Sequence, residues 1–141
     1  MPFAPGTEEA VALLHSRGIA VAIASITWEF AVECFARRLG VTHFIGTRLG
    51  PAGVVEHAWP RDKARWTQAL CRQLSIPATR LVAVGDSSGD ADMFQIAAHR
   101  VFVGDRVPPE IADVYHAPDA HLLTVVRWIL DRLDAGPGGP A

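Results

Sequence analysis

Three apolar runs constrain this chain more than any other feature. "IAVAIAS" covers residues 19 to 25, "RLVAVGD" residues 80 to 86 and "RVFVG" residues 100 to 104. Each is short, rich in β-branched residues and free of charge in its middle. Runs without polar alternation suit strands covered on both faces, as in a parallel sheet. Amphipathic helical patterns separate them. "TEEAVALLHSRG" reads as a helix with Thr7 as N-cap, Glu8 and Glu9 in its first turn and Gly18 as its stop. "WEFAVECFARRLG" places Phe30, Cys34 and Phe35 at helical spacing and ends at Gly40. Residues 61 to 74 and roughly 90 to 98 carry further helices, and "DAHLLTVVRWILDRL" closes the pattern. "HFIGT" is a short strand, and "RLGPAGVVEHAWPRD" is loop-like. Helices and strands thus alternate from end to end, which predicts an α/β domain with a mostly parallel sheet.

Composition narrows the function. The 141 residues suffice for one domain with a core, and 50% of them are apolar. A net charge of −2 gives no reason to expect nucleic acid or an anionic membrane as partner. No apolar run reaches the ~18 residues of a membrane span. The start lacks the order of a signal peptide, so the expected location is cytoplasmic. Cys34 and Cys71 have no disulfide or zinc spacing and read as reduced thiols. The six histidines are scattered without ligand spacing. The four tryptophans lie mostly on helix patterns, as core or lid contacts.

In α/β folds ligands bind outside the carboxyl ends of parallel strands. Ser25 and Asp86 stand at such ends. The stretch "VGDSSGDADMF" follows its strand with Asp86, Asp90 and Asp92. A carboxylate there suits a hard cation such as Mg²⁺. The alternative is that Asp86, Ser87 and Ser88 cap the next helix while Asp90 and Asp92 favour its dipole. Ser25 or Thr27 suits a phosphate oxygen, helped by backbone N–H groups, or simply caps the helix that follows. Lys63 is the only lysine in the chain. It sits in the first turn of a helix, where a cation opposes the dipole. It is either a solvated surface residue or a point charge for a phosphate or carboxylate.

"VAIAS" with Ser25, "DKARW" with Lys63 and "VGDSSGDADMF" with Asp86 and Asp90 occur in a telling order. Together they resemble the haloacid dehalogenase superfamily, in its phosphoserine-phosphatase-like branch, from about Pro5 to about residue 116. The resemblance implies a Rossmann-like three-layer sandwich, with the domain expected over residues 1–134 and the Gly/Pro-rich tail at 135–141 expected to be disordered. It implies a phosphomonoester phosphatase acting through an aspartyl-phosphate with Mg²⁺. Ser25, with Ile26 and Thr27, would bind the phosphoryl group, Lys63 would neutralise charge, and Asp86 with Asp90 would hold the metal. The substrate would be a small phosphorylated metabolite. Ile26 and Thr27 stand where the branch usually has glycines, and Gly89 where an asparagine is common.

The family's DxDx[TV] nucleophile motif, its first strand and its cap find no counterpart. The chain begins at a segment that looks like the one following the cap. Asp105, after "VFVG", is the nearest aspartate to a replacement. The absent strand would lie at the centre of the sheet, which implies weak Mg²⁺ binding and an incomplete, inactive chain. The gap invites three solutions: direct pairing of the strands ending at Ser25 and Asp86, a homodimer through the exposed edge, or a longer protein. A non-catalytic binding or assembly module is the alternative function, and a receiver-like signalling domain a third.

Overall fold

The computed structural model describes residues 4–117 and 121–135. The predicted tail falls mostly on residues 136–141, outside the described residues. The α/β alternation is present. Helix α1 (Thr7–Ser16) leads to β1 (Ala22–Trp28), α2 (Glu29–Leu39) and β2 (His43–Leu49). A 3₁₀ turn at Pro51–Gly53 and a two-residue β3 (Val55–Glu56) precede α3 (Pro60–Gln73). Then come β4 (Val82–Gly85), a 3₁₀ turn at Ser88–Asp90, α4 (Ala91–Ile96), β5 (His99–Val103), β6 (Tyr115–Ala117) and α5 (Leu122–Ala135).

Local chemistry sets most boundaries. Gly18 and Gly40 adopt φ of 72° and 69°, a conformation that costs glycine little. At the first, Gly18 N–H bonds to His15 C=O and Ile19 N–H to Leu14 C=O, the Schellman pattern that ends a helix. The expected cap at Thr7 is not formed. Gly6 occupies the N-cap, and the Thr7 hydroxyl donates to Ala4 C=O instead. In α2 the buried stripe is Val32 and Ala36, while Phe30 is 70% exposed.

The strands form two three-stranded sheets, in the orders β1-β2-β3 and β4-β5-β6. All pairs are parallel except β2 with β3. Helices α1, α2 and α5 cover one face. Val11 and Ala36 pack with Ile23 and Phe44, and Val125, Ile129 and Leu133 pack with Val101 and Val103. On the other face Phe94 of α4 packs with Ala83 and Phe102, and α3 lies against α4 and β1. Three layers result, as expected.

The sheet itself departs from the reading of the sequence. β1 and β4 do not pair with each other among the described residues; each is the edge of its own sheet. Neither is covered on both faces. Ile26 is 57% exposed and Val84 43% exposed. Only β5, central in its sheet, buries Val101, Phe102 and Val103 together. β1 also runs on to Trp28, so Ser25 lies inside the strand rather than at its end. The loop-like segment contains the β2–β3 hairpin, closed by the Arg48–Glu56 ion pair. Trp28 and Trp59 are exposed and lie outside the helices, at the end of β1 and just before α3. Among the described residues no helix is long and apolar enough to cross a membrane. Both cysteines are free thiols, and burial pushes Cys71 above its ordinary range.

Thr47 ties this half of the molecule together. Its buried hydroxyl donates to Ile26 C=O at 2.8 Å and accepts from Ala58 N–H at 3.0 Å. The first bond holds β1, and the second fixes the approach to α3. Thr47→Val leaves the Ala58 N–H buried without an acceptor. It should lower unfolding free energy by about 1–3 kcal/mol, measured by urea denaturation at constant m.

Candidate active site

The carboxyl end of β4 organises the site. After Gly85 the chain turns through Asp86, Ser87 and Ser88 and begins a 3₁₀ turn that Asp90 completes. The Asp90 carboxylate folds back under this turn. Its Oδ2 accepts the Asp86 N–H at 3.0 Å and the Ser87 N–H at 3.3 Å. Its Oδ1 accepts from Lys63 Nζ at 3.1 Å. Gly85 leaves the room this needs: a Cβ there would stand 2.6 Å from Asp90 Oδ2. Asp90 therefore reads out a specific backbone, and the sequence "GDSSGD" encodes both the carboxylate and the space for it.

Lys63 is not the solvated lysine that its position at the start of α3 allows. Its side chain is 6% exposed and that of Asp90 16% exposed. An ammonium at that depth needs a partner, because desolvation of an isolated charge costs several kcal/mol. Asp90 is that partner. The Thr67 hydroxyl donates to Lys63 C=O and lies against Met93 Sδ, which packs this turn of α3 on α4. The pair is thus fixed from both sides, with α3 carrying the cation and the β4–α4 loop the anion.

Asp86 is the contrasting carboxylate. It is exposed, and among the described residues its carboxylate has no hydrogen bond or ion pair. It does not cap the following helix. Two acids four residues apart therefore have separate parts: Asp90 is consumed by structure, and Asp86 is available. Asp92 is half-buried in the first turn of α4, where its charge suits the dipole.

Ser25, Ile26 and Thr27 lie on β1 in the other sheet. Ser25 Oγ accepts the Thr27 N–H at 3.2 Å, a local turn within the strand. No bond among the described residues joins these three to Asp86, Asp90 or Lys63. Their link is indirect: Ile26 C=O, Thr47 and Ala58 N–H connect β1 to the residues that open α3. The structure brings Lys63, Asp86 and Asp90 together and leaves Ser25–Thr27 across a gap.

The donor set fits a magnesium ion in part. One free carboxylate at a strand end suits a cation that keeps several waters. Among the described residues no group of three or more His, Cys, Asp or Glu is placed to hold a metal. Asp105 follows β5, the strand that pairs in parallel with β4. Thr47 and Gly85 were not visible as site residues in the sequence. A glycine before an aspartate at a strand end was the only signal for the second, and none marked the first.

A double-mutant cycle on Lys63→Met and Asp90→Ala checks the pair. Asp90→Ala alone strands a buried ammonium and should cost about 3–5 kcal/mol. The coupling energy should be about 1–3 kcal/mol. A value within error of zero would show that the pair does not form. Gly85→Ala should destabilise by about 1–3 kcal/mol through overpacking against Asp90, read by thermal unfolding.

Solved structures share this fold. A substrate-bound phosphoserine phosphatase shares 25% identity and a TM-score of 0.78, covering 89% of this chain and 63% of that one. A phospho-aspartyl intermediate analogue of phosphoserine phosphatase shares 23% identity and a TM-score of 0.78, covering 90% and 64%. A 3-deoxy-D-manno-octulosonate 8-phosphate phosphatase from Moraxella catarrhalis, solved with magnesium, phosphate and a KDO molecule, shares 19% identity and a TM-score of 0.69, covering 89% and 68%. The chain spans less than two thirds of the phosphoserine phosphatases it matches. No curated relative matches it by sequence. The model of the haloacid dehalogenase-like hydrolases matches residues 2–95, a span that holds Ser25, Lys63, Asp86 and Asp90. The chain belongs to the haloacid dehalogenase-like hydrolase family.

Proposed function

We propose that this chain supplies the phosphate- and metal-binding half of a Mg²⁺-dependent phosphomonoesterase acting on a small phosphorylated metabolite. The observation that carries the reading is the buried Lys63–Asp90 pair set beside the free Asp86 carboxylate at a strand end. A cation and an available anion at one carboxyl edge suit phosphoryl transfer, which depends on positioning and charge stabilisation.

Asp86 would hold the metal through its free oxygens, and a bound Mg²⁺ would supply Lewis-acid neutralisation of phosphate oxygens. Asp90 would support the metal site by orienting the Asp86 backbone and holding Lys63. Lys63 offsets the negative charge that phosphate and carboxylates bring together. Ser25 and Thr27, with the N–H groups around Ile26, bind phosphoryl oxygens from the β1 side. The nucleophilic carboxylate of an aspartyl-phosphate route is not among the residues gathered here. The chain alone is therefore expected to bind without turning over. The same lack favours a second reading, a binding module that keeps the fold and no chemistry.

Titration with Mg²⁺ and inorganic phosphate, followed by amide NMR, separates the two. Binding at roughly millimolar Mg²⁺ should shift the amides of residues 86 to 88 and vanish in Asp86→Asn. Aryl phosphate hydrolysis should be equal in the chain and that variant. No Asp86-dependent binding would leave the module reading. Turnover above the variant would show that a nucleophile lies within the chain.

A further inference from the structure

The amino-terminal end of the second sheet carries charge that the candidate active site does not use. Val101 of β5 pairs with Tyr115 of β6, so residues 99–100 and 113–114 lie side by side where these parallel strands begin. Helix α5 packs on the same sheet and contributes Trp128 and Arg132, one turn apart. A cavity of about 360 Å³ opens there, lined by His99, Arg100, Asp113, Tyr115, Trp128 and Arg132. Sites that hold small molecules begin at about 300 Å³. Asp86 stands past the other, carboxyl end of this sheet. The five residues of β5 span the distance between the two ends, about 15 Å at the rise of a strand.

Two guanidinium groups share the cavity, and each is held in place. Arg100 is half-buried. Its Nε donates to Ala97 C=O at 3.2 Å and its Nη1 to Ala112 C=O at 3.3 Å. Arg132 rests on the Trp128 indole, with its guanidinium carbon 5.0 Å from the ring centre. Tyr115 stacks on the same indole, with ring centres 4.8 Å apart. Trp128 is thus a wall that fixes Arg132 rather than an open face for an aromatic ligand. Among the described residues neither guanidinium has a carboxylate partner. Asp113 is the one acid in the lining, and it pairs with neither. Like charges confined to one recess repel, and an anion between them reverses the sign of that interaction. Most of the N–H donors of both groups remain free for it.

We infer that this cavity binds a small polyanion whose phosphate or carboxylate oxygens are held by Arg100 and Arg132. Planar guanidinium forks match such oxygens two at a time, which a lysine does not. His99, half-buried beside Arg100, supplies a further ring nitrogen to the same space. The positive charge is confined to a recess on a chain of net charge −2, which suits a small ligand rather than a nucleic acid or a membrane. Arg100 pairs with Ala83 of β4, so the ligand would sit at the far end of the strand that leads to Asp86. The site is therefore separate from the metal turn, and it does not rest on the proposed function.

The probes are inorganic pyrophosphate and citrate. Each is titrated into the full chain at constant ionic strength, without Mg²⁺, and followed by amide NMR. At least one should bind with a Kd of about 1 mM or tighter. Its shifts should fall on residues 98–100 and 113–115. Which of the two binds distinguishes phosphate from carboxylate as the source of the oxygens. Arg132 is exposed, so Arg132→Gln should fold normally and weaken binding at least about tenfold. Asp113 has φ 56°, a conformation that asparagine also tolerates. Asp113→Asn should therefore tighten binding, about two- to fivefold, by removing a repelling charge. Binding should be unchanged in Asp86→Asn, so a failure of the metal site leaves it intact. Shifts that do not saturate by about 10 mM would overturn the inference. So would equal binding in Arg132→Gln, or shifts that fall on residues 86 to 88 instead.

Discussion

The Lys63–Asp90 pair is the interaction on which the rest of the structure depends. One buried ammonium meets one largely buried carboxylate, and the remaining oxygen of that carboxylate holds the backbone of residues 86 and 87. Such a pair is weak evidence for stability, because desolvation offsets much of the attraction. Its value is geometric. It fixes α3 relative to the loop after β4, and so joins the two sheets at their carboxyl ends. It also fixes where Asp86 points from, since the Asp86 N–H is one of the bonds that Asp90 accepts. Without Gly85 the carboxylate has no place to sit.

The joint matters because the sheets themselves do not hold together. The core is divided into separate apolar clusters: α1 and α2 over β1 and β2, α5 over β5, α4 beneath β4 and β5. Helices bridge these clusters while the strands between them leave a gap. α1 does so with Val11 in one cluster, Ala10 in another and Leu14 against a third. Among the described residues the fold is thus carried by its outer layers rather than by strand pairing across its centre.

Much of this was legible in the sequence. The helix–strand alternation, the stops at Gly18 and Gly40 and the turn after β4 follow from local chemistry that the structure obeys. Lys63 was legible as an anomaly, because a cation in the first turn of a helix opposes the dipole and so calls for a partner. The partner's depth was not, since burial is a property of packing. β3 and β6 went unseen, being two and three residues long, too short for any period to register. The exposure of β1 and β4 was read backwards. Their composition is that of covered strands, and composition reports the environment a strand is suited to rather than the one it has. Ser25 was placed at a strand end because the apolar run stops there, but β1 continues through Ile26 and Thr27 as a β-branched pair.

Asp86 is the one carboxylate of the β4 turn with free oxygens, and a single carboxylate holds Mg²⁺ weakly against its water shell. Asp90 already accepts three bonds, from Lys63 and from the N–H groups of Asp86 and Ser87, and losing the first would leave a buried ammonium unpaired. The part of Asp90 is thus the geometry of the loop, which it sets through the Asp86 N–H and the Lys63 ammonium while the Asp86 carboxylate stays open to solvent.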